Sequence, residues 1–432
     1  MLIPLLALRR LVRPIPPIGS EGPVTIDIGR VRAAYPALRD GRAYLDGAAG
    51  TQVPEPVIEA IAGAYRGGIG NVGGAFPASS RSTAIVAEAR QAIASLTGGV
   101  ADGVVFGPSH TALTYRIAAA LAKSWGPGDE VVVSRLDHDS NIRPWVQAAD
   151  RAGATVRWAE ADLETGELPA AQYAGLVSER TRVVAVTAAS NVLGTRPDVP
   201  AISALARAAG ALCYVDGVHA TPHVPVDVAA LGADFYTTSA YKWSGPHVSA
   251  LVAAPSLLET LHPDKLAPSP DSVPDRFERG TLPFADLAGV AAAVGHLASV
   301  NGAGLTEGAV PASRARILAS MAAVEEYEAA LFARMVGGLA SMGHVRLHGR
   351  AGKDAGARRA PTAFFSVSGL APHAVAESLA ARGVNVWSGN NYALELCRAL
   401  GLEPGGAVRA GLVHYNDETD VDRLLTCVDE LA

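Results

Sequence analysis

Hydrophobic and polar positions change their period several times along the chain. From about residue 83 to 125 the apolar residues recur at helical spacing, broken by "GGVADGVVFGPSH", where "GVVF" (Gly103 to Phe106) is a short strand candidate. The stretch "HTALTYRIAAALAKSW" that follows is amphipathic at the helical period. The alternation continues: "EVVVS" strand, "IRPWVQAADRAG" helix, "TVRWAE" strand, "RVVAVTAAS" strand, "VPAISALARAAG" helix, then "ALCYVDG", "DFYTTSA" and "VSALVAA" as strands. Short β-branched runs separated by helices predict an α/β fold, with a mostly parallel seven-stranded sheet covered by helices on both faces.

After about Val290 the character changes. Alanine-rich helices run through "RARILASMAAVEEYEAALFARMVGGLASMG", and "TAFFSVSG" and "VRAGLVHY" read as strands of a smaller α+β domain. The expected division is residues 1–43 as a segment packing on the small domain, 44–290 as the large domain and 291–432 as the small C-terminal domain. "LHGRAGKDAGARRAPT" has no periodicity and is expected to be a mobile surface loop.

Composition narrows the classes. The chain has 432 residues, 49 % hydrophobic and 18 % charged, and a formal net charge of -6. This is the profile of a globular protein, without the basic footprint that nucleic-acid binding requires. No apolar run reaches the roughly 18 residues of a membrane span. The opening "MLIPLLALRRLVRPIPPIGS" places its arginines after a short apolar run and offers no small-residue cleavage site, so it is not read as a signal peptide. The next methionine is Met321; a start inside the opening stretch would use a non-Met codon, near Val24. Cys213, Cys397 and Cys427 are scattered, without disulfide or metal spacing, and a reducing cytoplasm is expected.

In an open parallel sheet, ligands bind beyond the carboxyl ends of the strands. There the chain places Ser109, His110 and Thr111, then Asp137 and His138, then Asn191, then Asp216 and His219, then Ser239 and Lys242. Each has an ordinary alternative: Ser109 a helix cap, Asn191 a turn before Gly194, Asp216 a loop cap, Lys242 a snorkelling lysine with a wet ammonium. On one rim, the set asks for a ligand. A helix N-terminus with Ser and Thr suits a phosphate, a buried carboxylate needs a cationic partner, and a desolvated lysine is an amine nucleophile. Pyridoxal 5'-phosphate answers all three demands. The competing motif "GIGNVG" (Gly68 to Gly73) follows the helical "PVIEAIAGAYR" instead of a strand. It is therefore read as a glycine-rich loop on the substrate side and not as a dinucleotide site.

These motifs resemble the fold type I, class V aminotransferases, in the branch with cysteine desulfurases and selenocysteine lyases. "AYLDGAAGTQVP", "DHDSNIRPW", "SNVLGT", "VDGVHA", "SAYKWSGP", "RFERGT" and "VRAGLVHYNDETDVDRLL" stand in family order, so the resemblance spans most of the chain. It implies a pyridoxal phosphate-dependent transferase-like large domain. Lys242 would condense with the cofactor aldehyde and later move protons at Cα, Asp216 would pair with the pyridine nitrogen, and His138 would stack on the ring. Asn191 and His219 would address the phenolic oxygen, although the desulfurases usually carry glutamine at the place of His219. Thr111, the backbone around His110, and Ser239 would hold the phosphate; Tyr241 stands where the desulfurases have histidine. Thr281 would reach the neighbouring subunit's phosphate, implying a homodimer with shared active sites, and Arg409 would clamp the substrate carboxylate.

One departure bears on the reaction. The loop that carries the persulfide-forming cysteine in the desulfurases corresponds to "VWSGNNYALELC", with Tyr392 at the cysteine's position. A tyrosine forms no persulfide. The resemblance therefore implies a desulfurase-like lyase of β-elimination type with Tyr392 as an acid, followed by transamination or epimerisation, then genuine desulfurase chemistry through Cys397, and last a non-catalytic cofactor-binding protein. Side-chain specificity is expected around Phe76, Trp387, Asn390, Asn391 and Tyr392.

Overall fold

The computed structural model describes residues 26–302, 312–350 and 359–432. The opening stretch to Thr25 and positions 351–358 of the expected mobile loop lie outside the described residues. The described residues contain thirteen strands: β1 (Ala43–Tyr44), β2 (Val104–Gly107), β3 (Glu130–Ser134), β4 (Thr155–Ala159), β5 (Thr181–Thr187), β6 (Leu212–Asp216), β7 (Phe235–Ser239), β8 (Ser249–Ala253), β9 (Val345–His348), β10 (Thr362–Val367), β11 (Val384–Asn385), β12 (Trp387–Gly389) and β13 (Ala407–Gly411).

Seven of these form one sheet in the order β2-β8-β7-β6-β5-β3-β4. All its neighbours are parallel except β8, which runs antiparallel to both β2 and β7. Strand residues alternate between two apolar layers, as the period of two requires. Val105, Val131, Val133, Val183, Ala185, Tyr214, Phe235 and Leu251 face one core with Trp145 of the helix Arg143–Ala152. Val104, Phe106, Val132, Val184, Val186, Cys213, Val215 and Tyr236 face the other, with Ile202, Val290 and Val294 from helices on that side. Both faces are dry, which is why these strands read as continuous apolar runs. Burying each Val contributes about 1.5–3 kcal/mol.

The smaller domain is an antiparallel sheet, β12-β13-β10-β9, over its own core of Phe365, Val408, Leu379, Met335 and Leu424. β9 takes up Leu347 and His348, the start of the expected mobile loop. The chain before the large sheet is tied to this part: β1 pairs in parallel with β11, and Arg32 reaches the Tyr415 carbonyl and Asp420 Oδ2, each at 2.8 Å. "GIGNVG" joins the helices Glu55–Gly67 and Pro77–Thr97, so the element directly before it is a helix and not a strand. Among the described residues, no helix is long and apolar enough to cross a membrane.

Candidate active site

β2, β3, β5, β6 and β7 run the same way and end at one edge. The loops after them line a single cavity with Ser109, His110, Thr111, His138, Ser140, Thr187, Asn191, Asp216, His219, Tyr241 and Lys242. Each loop is fixed locally. Ser109 caps the helix His110–Leu121 by accepting the Ala112 N–H at 3.1 Å, which leaves the helix's first N–H groups without intrahelical partners at the cavity. Ser109 is thus both the helix cap and part of the cavity wall. Gly217, after Asp216, is required by close approach: a Cβ there would lie 1.9 Å from the Tyr236 ring.

Lys242 is only 8 % exposed, at the end of the short turn Ala240–Lys242 after β7. Its Nζ donates to the Ala48 carbonyl. Burial first, and Arg409 second, push the amine down to about 7, against the pull of Asp216. The snorkelling reading is thereby replaced: the amine itself is inside. Asp216 is buried, with Oδ1 accepting the Val218 N–H at 2.9 Å and Oδ2 3.3 Å from His110 Nε2. Burial holds His110 low, so the histidine is a poor cation for that carboxylate.

His138 accepts the Ser140 N–H on Nδ1 at 3.1 Å, which leaves Nε2 as the protonated ring nitrogen. Burial, then His110, Lys242 and Arg409, lower it to about 3, a neutral ring. His219 Nε2 meets Thr362 Oγ1 at 2.9 Å, and burial holds its imidazole far below the usual range. Three buried polar atoms around the cavity have no protein partner: His110 Nδ1, Asn191 Oδ1 and His219 Nδ1. Unpaired polar atoms of this kind are costly and mark places where a ligand supplies the missing bond.

The other expected residues fall as follows. Arg409, on β13, is buried and donates to the Asn191 carbonyl at 3.0 Å; burial lowers it to about 10, opposed by Asp46 and Tyr241. Tyr241 stacks on His247, with centroids 5.0 Å apart and planes at 7°. Ser239 turns its hydroxyl to Ser249 Oγ at 2.7 Å and does not line the cavity. Thr281 is exposed and away from it. Asn390, Asn391 and Tyr392 form a turn over the rim: Asn191 Nδ2 donates to the Asn391 carbonyl at 2.8 Å, and Tyr392 stacks on His138 with centroids 5.2 Å apart. Phe76 and Trp387 are about half exposed, at 53 % and 52 %.

Sequence reasoning passed over three contributors. Ala48 gives Lys242 its acceptor; Asp46, lifted to about 6 chiefly by burial, is the carboxylate that Arg409 feels. Both lie in "LDGAAG", whose Asp-Gly pair signals only a turn. Glu395, buried beside the Tyr392 turn, sits in an otherwise ordinary helical pattern.

No ion-binding group of three or more His, Cys, Asp or Glu occurs among the described residues. A buried low-pKa lysine, a buried carboxylate lacking a strong cation and a helix N-terminus fit the aldehyde, ring nitrogen and phosphate of pyridoxal 5'-phosphate. Fold and site thus define a pyridoxal phosphate-dependent enzyme of the fold type I architecture.

The comparisons make that specific. The Aminotransferase class-V family profile matches residues 43–307 and 312–424, and the chain belongs to that family, in its cysteine desulfurase-like branch. Uncharacterized protein MT3887 of Mycobacterium tuberculosis is 36 % identical over 408 residues, spanning 94 % of this chain and 99 % of the relative. A cysteine desulfurase of Klebsiella pneumoniae is 33 % identical, across 93 % of this chain and 97 % of its own length. The solved structure of the cysteine desulfurase CsdA from Escherichia coli matches with a TM-score of 0.79 and 28 % identity, covering 94 % of this chain and 98 % of that one.

Proposed function

We propose that the chain is a lyase that eliminates the β-substituent of a small amino acid, cysteine or a close analogue, without a protein persulfide. The carrying observation is what stands in the turn over His138. It is Tyr392, 71 % exposed, while all three cysteines are free and buried. Burial pushes the Cys397 thiol up to about 12, so it is held as an unreactive thiol at neutral pH.

Pyridoxal phosphate, when bound, supplies an electron sink for the pair left by a broken Cα bond. Lys242 would hold its aldehyde, Asp216 its ring nitrogen and His138 its ring face. Asn191 and His219 would serve its phenolic oxygen; Thr111, the His110 backbone and Tyr241 would serve its phosphate, without Ser239, whose hydroxyl is turned to Ser249. Arg409 orients the substrate carboxylate by a two-pronged bond, and Lys242, poised near neutral pH, takes the Cα proton. Tyr392, in the turn over the rim, would give a proton to the leaving sulfur. Thr281, exposed after the turn Asp275–Phe277, would reach the site of a second copy in a homodimer of the kind the family resemblance implies. Three free cysteines support a reducing, cytoplasmic setting.

The test is the product set from a panel of amino acids including cysteine. Elimination from cysteine releases sulfide, pyruvate and ammonia in equal amounts. Alanine with a persulfide on Cys397 would instead establish desulfurase chemistry, and keto acid with retained sulfur would establish transamination; either result overturns the lyase reading.

A further inference from the structure

The turn that bears Tyr392 is held against the rim by contacts that no ligand provides. The Asp139 N–H donates to the Tyr392 carbonyl at 2.7 Å, and the Tyr392 and His138 rings lie 23° from parallel. Asn391 and Tyr392 both have positive φ, 50° and 61°. Asparagine tolerates that region; for a bulky residue such as tyrosine it is an outlier that persists only where the surroundings enforce it.

Three residues beyond Tyr392, Glu395 is buried and faces Arg135 Nη1 at 3.0 Å, Arg143 Nη2, and Arg398 Nη1 at 3.2 Å. Arg135 and Arg143 flank His138 in the chain, and each has a second anchor. Arg135 lies over the Trp158 ring at 4.6 Å and pairs with Glu160 at 2.8 Å; Arg143 pairs with Asp139 at 2.9 Å. Glu395 is the buried member and the arginines are partly exposed, so stripping its partners would leave a buried carboxylate uncompensated, which ties the three arginines to it.

We propose that Glu395 is a positioning residue: through Arg135 and Arg143 it locks the Asn390–Tyr392 turn onto His138 and Asn191 as a fixed cap. This deepens the lyase reading and rests on it for the identity of the site. A cap anchored to the rim does not carry sulfur outward to a protein acceptor, so the product leaves as a small molecule.

Amide hydrogen exchange of the purified holoenzyme tests the lock. In Glu395→Gln, and in Arg143→Met should the first variant fail to fold, peptides covering 389–394 and 138–141 are expected to exchange at least tenfold faster than in wild type. Peptides across β5 and β6 keep their wild-type rates, and Glu395→Asp restores part of the protection. Wild-type exchange at 389–394 as fast as in a free chain would overturn the proposal, as would uniform acceleration through β5 and β6, which marks a merely structural role. Retention of cofactor on wild-type Lys242, read from the same samples by mass spectrometry, separates failure of the lock from failure of the site assignment.

Discussion

Replacing Lys242 with methionine should stabilise the cofactor-free protein, because the site holds an amine where the fold would prefer a hydrocarbon. The amine falls from 10.5 to about 7 on folding, mainly through burial. Between those values the unfolded chain binds more protons than the native one, so this group's contribution to stability rises with pH across that window. Its cost is fully present below pH 7 and gone above 10.5. At about 1.4 kcal/mol per pKa unit, the cost is about 4 kcal/mol at pH 7 and about 1 kcal/mol at pH 10. Lys242→Met removes that cost but also the bond to the Ala48 carbonyl, which contributes about 1 kcal/mol. The net gain is about 3 kcal/mol at pH 7, closing to about zero at pH 10. Urea unfolding of the cofactor-free forms at both pH values, at one protein concentration, reads the two differences. A variant less stable than wild type at pH 7, or a gain that does not shrink by pH 10, would refute the reasoning. Either would mean that the buried lysine is not the strained element of the site.

Three further outcomes follow from the geometry. Asp216→Asn removes the carboxylate that would keep the ring nitrogen protonated; kcat should fall about 100-fold, or ~3 kcal/mol, with cofactor still attached to Lys242, as steady-state rates and bound absorbance report. Arg409→Lys replaces a fork by a point charge, and KM for the amino acid should rise about 10- to 100-fold with a smaller change in kcat. Cys397→Ala should leave sulfide release within about twofold of wild type, because the thiol is buried and held as SH.

The apolar runs made the large sheet legible because its strands are buried on both faces, and the edges of "EVVVS" coincide with β3. Rim residues were legible for a related reason: once strand ends are known, the polar residues just past them have only one place to go. Ser239 shows the limit, since strand-end position does not say which way a hydroxyl turns, and β8 runs close enough for Ser249 to engage it. The short strands β1, β11 and β12 have two or three residues each, too few for a period to show, and they exist because distant segments meet. Glu395 was invisible for the same reason: its meaning lies in Arg135 and Arg143, about 250 positions away in the chain and adjacent only after folding.

The central claim is that Lys242 holds pyridoxal phosphate at this rim. Purified protein loaded with the cofactor, reduced with borohydride, digested and mapped by mass spectrometry tests it directly. The account predicts one reduced cofactor per chain on the peptide containing Lys242, and none after Lys242→Ala. Cofactor on another lysine, or equal labelling of the variant, would contradict it.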